Sequence, residues 1–125
     1  MILGVGIDLA KIDRIGRSLE RFGQRFIDRI YTPAEQAFCA GRGQPVRAYA
    51  LCFAAKEAFS KAIGLGMKGV GWQEIEVHHK ASGQPYLVLS GRAQEVASRL
   101  GVKASHLSLS DEAGLAAAMV VLEGG

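Results

Sequence analysis

The sequence contains few of the residues that cross-link a small secreted or metal-binding domain. Only two cysteines and three prolines occur in 125 residues. Cys39 and Cys52 have no CxxC spacing and no histidine pair has zinc-site spacing, so the sequence indicates neither a disulfide framework nor a structural zinc site, and predicts reduced, buried thiols. No apolar run approaches the ~20 residues of a bilayer span, and the charge at Asp8 comes too early for a secretory signal. We expect a cytoplasmic protein that binds no membrane.

The charged residues are close to balance, with 15 Lys and Arg against 12 Asp and Glu, a net charge of +3 and a pI near 9.1. This charge density is below that of proteins that coat nucleic acid without sequence specificity. An acidic partner therefore has to bind a local basic patch. Hydrophobic residues make up 49% of the chain, which predicts a packed globule. The length suits a single domain spanning residues 1–125.

Apolar periodicity predicts an α+β domain, with helices mainly in the first half and an antiparallel sheet in the second. The apolar start is expected to form a strand that is buried on both faces and delivers Asp8 at its end. We expect Gly23 to divide the next helical segment in two, and Thr32 and Ser90 to cap later helices. The predicted segments are a strand over 1–7, helices over 11–30, 32–41, 46–63 and 92–100, a hairpin of 74–79 with 86–90, and strands over 106–110 and 115–123.

The longest predicted helix carries the first candidate site. A helical wheel places Glu57 and Lys61 together, opposite the apolar face. They could form an exposed ion pair worth about 0.3 kcal/mol, but a helix that is apolar nearly all round is expected to be enclosed, where a carboxylate needs a further partner. Asp8 could be a simple turn residue. If Asp8 and Glu57 meet, they suit Mg²⁺, which binds one or two protein carboxylates and leaves its other positions to water and phosphates.

The short alternating strand near the end of the chain carries a second candidate site. Side chains alternate along a strand, so His106, Ser108 and Ser110 share one face. This face could be a plain polar edge of the sheet, or a set of donors for phosphate oxygens assisted by Lys61 and the backbone amides after Gly64. The glycine-rich stretch follows a helix and therefore matches neither a Walker nor a dinucleotide-binding motif.

Five arginines on one side of the first helical segment form what we call the arginine seam: Arg14, Arg17, Arg21, Arg25 and Arg29. Residues 11–29 hold six basic and three acidic side chains, so their local charge equals the net +3 of the whole chain. The seam could be a solvated surface or a docking site for an acidic protein. Nucleic acid is less supported, because no aromatic residues interleave with the arginines as a stacking platform requires.

Several segments, in chain order, resemble the holo-acyl-carrier-protein synthases across essentially the whole chain. They are GIDLAKIDRI, FAAKEAFSKAIG, EIEV with GQPY, and HLSLSDE before AAAMVVLE, of which the central one is the most specific. The resemblance implies the 4′-phosphopantetheinyl transferase fold. It also implies a Mg²⁺-dependent reaction in fatty acid biosynthesis, in which the phosphopantetheine arm of coenzyme A moves to a serine of apo-acyl carrier protein and adenosine 3′,5′-bisphosphate is released.

The same resemblance implies roles for individual residues. Asp8 and Glu57 would be the metal ligands, and Lys61 would assist catalysis beside the coenzyme A diphosphate. Further contacts to coenzyme A would come from Gly64, Pro85, His106 and Ser108. The arginine seam, with Arg14, Arg17, Arg21 and Arg25, would receive an acidic helix of the carrier protein. A homotrimer with a site at each subunit interface would cover the apolar last strand.

Two positions depart from the pattern of this family. Cys52 stands where arginine is common, so one phosphate contact is either absent or supplied by Arg42 or Arg47. Leu65 replaces a threonine of the glycine-rich stretch. We expect activity to survive with an altered affinity for coenzyme A. Two other hypotheses are a Mg²⁺-independent RNA-binding module that uses the arginine seam, and a Mg²⁺-dependent hydrolase of nucleotide diphosphates. The transferase hypothesis predicts no nucleic-acid partner.

Overall fold

The structure is a computed structural model that describes residues 1–125. It contains five α-helices and five β-strands, which confirms the α+β prediction. In chain order they are β1 Ile2–Lys11, α1 Ile12–Phe22, α2 Gln24–Ile30, α3 Pro33–Ala40, α4 Pro45–Ala62, β2 Ile75–His79, β3 Pro85–Leu89, α5 Gly91–Leu100, β4 Val102–Glu112 and β5 Leu115–Gly124. Short 3₁₀ turns occupy 66–68 and 72–74. No helix is both long enough and apolar enough to cross a bilayer.

The strands form two antiparallel sheets, one with the order β1-β5-β4 and one of β2 with β3. The first strand therefore pairs with the last, and the sheet is not confined to the second half of the chain as predicted. Asp8 is paired with Ala118 inside β1, which continues to Lys11. The expectation that Asp8 ends the strand is wrong, because the alternation of buried and exposed side chains continues beyond it.

The two faces of β1 have different surroundings. Gly6 and Ala10 are buried, whereas Val5, Ile7 and Leu9 on the other face are 58%, 58% and 63% exposed. The prediction of burial on both faces is therefore wrong for the single chain, since α4 covers only one face and β5 pairs along the edge of β1. Met119 of β5 is 44% exposed on the same open side of the sheet.

Two glycines allow β1 to lie directly against α4. A Cβ atom at Gly4 would collide with the carbonyl oxygen of Ala62, and one at Gly6 would collide with that of Ala58. Neither position has a positive φ angle, so glycine is required for space rather than for backbone conformation. This close approach sets the distance between the α4 side chains and Asp8, the next residue on the same face.

The interior of the domain contains an ion pair. Lys56 of α4 is completely buried and donates to Glu35 Oε1 (2.8 Å), Trp72 O (2.8 Å) and Ile75 O (2.7 Å). Glu35 also accepts from the backbone N–H of Val77 (2.7 Å). The pair therefore connects α3, α4 and β2. Because each charge has several partners, neither charge is left uncompensated in the interior.

Both cysteines are reduced and buried, as predicted. Burial is the main cause that raises the pKa of the Cys39 thiol to about 12, with the Glu35 carboxylate adding to it. Burial likewise raises the pKa of Cys52, whose Sγ donates to Glu35 Oε2 at 3.2 Å. Such thiols remain protonated at neutral pH, and thiolates are the reactive form.

The predicted helix boundaries and hairpin are confirmed to within one residue, and Gly23 separates α1 from α2 at a φ angle of 56°. Thr32 caps α3 in a complete capping box with Glu35. Ser90 is the N-cap residue of α5, as predicted, but its side chain makes no capping hydrogen bond. The Glu74 carboxylate accepts from the backbone N–H of Ala93 (3.1 Å) and satisfies this helix end in its place.

Candidate active site

Asp8 and Lys61 meet where β1 crosses α4. Lys61 Nζ donates to Asp8 Oδ1 at 2.9 Å and to the carbonyl oxygen of Ile7 at 3.1 Å. The lysine forms no salt bridge with Glu57, so the simple i, i+4 ion pair considered above is not the arrangement present. The Lys61 side chain is 52% exposed and that of Asp8 is 13% exposed, which leaves the pair accessible from solvent.

Glu57 lies one turn before Lys61 and shares a cavity with Asp8. Burial raises the pKa of Glu57, the negative charge of Asp8 raises it further, and Lys61 opposes both effects. The two acidic groups therefore act on each other electrostatically although they are far apart in sequence. A cation bound between them would relieve this repulsion.

The shared cavity has a volume of about 320 Å³. Asp8 and Glu57 line it together with Phe26 and Phe53, and Arg14 of the arginine seam reaches it from α1. The structure contains no cluster of three or more His, Cys, Asp or Glu side chains placed to hold a metal. Two carboxylates beside an open cavity match the donor set of Mg²⁺, which completes its coordination with water and phosphate oxygens.

Residues 64–71, the glycine loop, connect α4 to the second 3₁₀ turn. Gly64 and Gly66 have positive φ angles of 81° and 65°. The backbone N–H groups of residues 65–68 donate to no acceptor in the protein. Leu65 packs on Gly69, where an added Cβ would lie 2.7 Å from its side chain. These consecutive free N–H groups follow Lys61 closely in the chain and can donate to an anion, since unpaired backbone N–H groups attract negative oxygens.

His106, Ser108 and Ser110 share an exposed face of β4, as predicted from alternation. This face belongs to the open side of the sheet, because Ser108 pairs with Met119. Asp8 points to the opposite side, toward α4, so one chain does not bring His106 and Ser108 to the cavity of Asp8 and Glu57. His106 instead contacts Glu123 (Nε2···Oε1 3.0 Å).

Pro85 lines a different cavity of about 530 Å³, together with Arg42 and Arg47. None of the residues that line it also lines the cavity of Asp8 and Glu57. The Arg47 guanidinium is bound by Asp111 through two contacts of 2.7 Å, and that of Arg42 lies over the Phe38 ring at 5.1 Å. Of the two arginines proposed to compensate for Cys52, only Arg42 has no ion-pair partner.

All five members of the arginine seam are exposed on α1 and α2. Arg14, Arg17 and Arg21 line a groove of about 460 Å³ along α1. Arg14 also lines the cavity of Asp8 and Glu57. The seam therefore leads directly into the acidic site. Phe22 is 50% exposed and lines the same groove.

Sequence reasoning missed two kinds of residue that shape this site. Lys56 has a signal for burial in its surroundings, because its neighbours in the helix are nearly all apolar and buried. The spacing of Gly4 and Gly6 in a strand otherwise rich in large apolar residues was a signal for close backbone approach. The two glycines let β1 approach α4, and Lys56 holds α4 against Glu35, Trp72 and Ile75.

Comparison with known proteins agrees with this geometry. A sequence model of the 4′-phosphopantetheinyl transferase superfamily matches residues 4–120. The holo-[acyl-carrier-protein] synthase of Koribacter versatilis (strain Ellin345) is 48% identical over 124 residues, covering 98% of this chain and 99% of that protein. The corresponding protein of Solibacter usitatus (strain Ellin6076) is 50% identical over 124 residues, with 98% and 99% coverage.

Solved structures give the same result. The crystal structure of holo-[acyl-carrier-protein] synthase from Neisseria meningitidis has a TM-score of 0.92 and 40% identity, covering 98% of this chain and 99% of its own. That of the Helicobacter pylori enzyme in complex with coenzyme A has a TM-score of 0.85 and 31% identity, with 95% and 99% coverage. This chain therefore belongs to the 4′-phosphopantetheinyl transferase superfamily and is an enzyme of the holo-[acyl-carrier-protein] synthase type.

Proposed function

We propose that this chain is a Mg²⁺-dependent transferase that modifies a serine of apo-acyl carrier protein with the phosphopantetheine arm of coenzyme A, in fatty acid biosynthesis. The meeting of Asp8, Glu57 and Lys61 at the contact between β1 and α4 is the observation that carries this proposal. Similarity to holo-[acyl-carrier-protein] synthases supports the carrier protein as one substrate. The complex of the Helicobacter pylori enzyme with coenzyme A supports coenzyme A as the other.

Asp8 and Glu57 are the residues that would hold Mg²⁺. Two carboxylates in a partly enclosed cavity, where burial and the negative charge of Asp8 raise the pKa of Glu57, fit a small divalent cation. When bound there, Mg²⁺ would neutralise negative charge on the diphosphate oxygens. Lys61 would add a second positive charge on the side of the leaving bisphosphate, and the free backbone N–H groups of residues 65–68 would donate to its oxygens.

The reaction would be an in-line displacement at phosphorus. The serine oxygen forms a bond to the phosphorus that carries the pantetheine arm, while the bond from this phosphorus to the bridging diphosphate oxygen breaks. Adenosine 3′,5′-bisphosphate leaves with that oxygen. The serine proton passes to water or to one of the two site carboxylates. The protein contributes mainly position and charge, because such transition states need little covalent assistance.

The arginine seam would bind the carrier protein. Its members are exposed, and Arg14 continues the basic surface into the cavity, so an acidic helix lying on α1 would present its serine beside Asp8 and Glu57. Complementary charge of this kind speeds encounter and fixes orientation. Arg14→Glu and Arg21→Glu are expected to raise the KM for carrier protein more than that for coenzyme A. Arg99→Glu, an exposed arginine on α5, is the control. Equal changes in both KM values would contradict the docking role.

A homotrimer is the proposed working assembly. The open side of the sheet exposes an apolar surface formed by Val5, Ile7, Leu9 and Met119. Continuous apolar surfaces of this kind usually mark an interface. His106 and Ser108 lie on that same side, so only a neighbouring copy could bring them to the cavity of Asp8 and Glu57. Ile7→Asp is expected to give monomers by light scattering and to abolish transfer. An active monomer would contradict the shared site.

Mass spectrometry of apo-carrier protein incubated with this chain, coenzyme A and Mg²⁺ tests the function itself. The expected result is a gain of one phosphopantetheine unit that requires both coenzyme A and Mg²⁺. Consumption of coenzyme A without modification of the carrier protein would indicate a hydrolase of nucleotide diphosphates. Salt-sensitive retention on RNA with no reaction of coenzyme A would indicate a nucleic-acid-binding module.

A further inference from the structure

The glycine loop is held by contacts that lie outside the active site. Its own backbone makes few hydrogen bonds, since residues 65–68 donate none and Gly69 N–H bonds only to Gly66 O (3.3 Å). Arg92 of α5 donates from Nε to the carbonyl oxygen of Gly69 at 2.7 Å. Lys56 donates to the carbonyl oxygen of Trp72, immediately after the loop, at 2.8 Å. Two cations therefore fix carbonyl groups near the end of the loop, whose free N–H groups are those of residues 65–68.

Helix α5 is a firm support for the arginine contact. Ala93 N–H donates to the Glu74 carboxylate at 3.1 Å and Ser90 N–H donates to the Glu74 carbonyl oxygen at 3.0 Å. A Cβ atom at Gly91 would lie 2.6 Å from this carboxylate, so the helix start sits tightly on the 3₁₀ turn that follows the loop. Arg92 is thus attached to a fixed element and reaches back to the loop. Gly69 cannot move away without losing a charge-assisted hydrogen bond.

The loop also connects to the acidic cavity through aromatic packing. The Trp72 ring stacks on Phe53 with 5.1 Å between ring centroids, and Phe53 lines the cavity of Asp8 and Glu57. Trp72 is the single tryptophan of the chain, so its fluorescence reports the position of this loop end.

We infer that Arg92 is a positioning residue for the binding of coenzyme A. Arg92 holds the glycine loop so that the free backbone N–H groups of the loop face the diphosphate. This inference rests on the proposed function, because it assigns the loop amides to that substrate. Arg92 touches the loop and not the reacting atoms, so its loss acts through the loop. The KM for coenzyme A should rise, while kcat and the KM for carrier protein change little.

Arg92→Gln is the test, with Arg99→Gln as the matched control on the same helix, since Arg99 is exposed and makes no hydrogen bond or ion pair. We expect Arg92→Gln to raise the KM for coenzyme A about tenfold, the usual worth of one hydrogen bond to a charged group. Arg92→Lys should restore part of the affinity, because an ammonium can still donate to the Gly69 carbonyl. The Trp72 emission of the free enzyme should shift in Arg92→Gln and not in Arg99→Gln.

The outcomes separate this inference from the proposed function. If the wild type transfers phosphopantetheine but Arg92→Gln matches Arg99→Gln in KM, the positioning role is overturned and the function stands. A raised KM with unchanged Trp72 emission in the free enzyme would also overturn it, since it would indicate a direct contact of Arg92 with coenzyme A. A wild type that modifies no carrier protein would overturn both.

Discussion

Two lysines of α4 show how the same chemical group serves structure in one place and chemistry in another. Lys56 and Lys61 each contact a carboxylate, at 2.8 and 2.9 Å. Lys56 is 0% exposed and reaches three acceptors inside the protein, whereas Lys61 is 52% exposed and its partner Asp8 lines an open cavity. A charge whose bonds are complete holds the fold together, and a charge that still faces solvent is available to a substrate.

Removing the open carboxylates should have the largest effect. Glu57→Ala and Asp8→Ala are each expected to lower the transfer rate by about 10³-fold or more, because a lost metal ligand removes several kcal/mol of transition-state stabilisation. Circular dichroism and chemical denaturation should show an intact fold. Glu95→Gln, an exposed carboxylate of α5, is the control. Turnover close to that of the wild type in either variant would remove that residue from the mechanism.

Breaking the closed pair should instead damage the fold. Lys56→Met is expected to lower the free energy of unfolding by about 3–5 kcal/mol, because Glu35 would remain buried without its cation. Urea denaturation followed by Trp72 fluorescence measures this change. The double variant Lys56→Met with Glu35→Gln should recover part of the loss, since no buried charge is then left alone. A Lys56→Met variant as stable as the wild type would contradict the structural role.

Lys61→Met gives the matching variant at the open end of the helix. Its free energy of unfolding should stay within about 1 kcal/mol of the wild type, as for other solvent-accessible ion pairs. The transfer rate should fall about 100-fold, the usual cost of removing one stabilising group from a developing anion. The two methionine variants therefore separate the lysines by stability and by rate. A large loss of stability in Lys61→Met would show that the comparison between them is false.

The smallest effect is expected at the thiols near the closed pair. Because burial raises the pKa of Cys39 and Cys52, an alkylating reagent at pH 8 should leave both unmodified in the folded protein. Mass spectrometry counts the added groups. Addition of urea should make both thiols reactive, and this serves as the positive control. Rapid labelling of the native protein would mean that the closed region opens readily.

Much of this fold could be predicted from local signals in the sequence. Three features depend only on nearby residues: the cap at Thr32, the helix break at Gly23 and the two strands of the hairpin. The structure confirms all three. The pairing of β1 with β5 was missed because it joins the two ends of the chain and leaves no local pattern. Strand alternation did place His106 and Ser108 on one face, but it could not show that this face lies away from Asp8.

The site was predicted unevenly for the same reason. Glu57 and Lys61 are recognisable because they lie in one helix with few other charges. The partner of Lys61 could not be chosen from the helix alone, since Asp8 reaches it only through tertiary packing. The burial of Lys56 likewise depends on carbonyl groups contributed by the distant residues Trp72 and Ile75.

The glycines of β1 have a consequence for anyone who wishes to move this chemistry to another scaffold. Copying the acidic pair and its lysine would not be enough, because the spacing depends on two missing methyl groups at Gly4 and Gly6. A designed strand with alanine at either place would stand farther from its helix, and the transplanted carboxylates would no longer face each other across a gap of the right width.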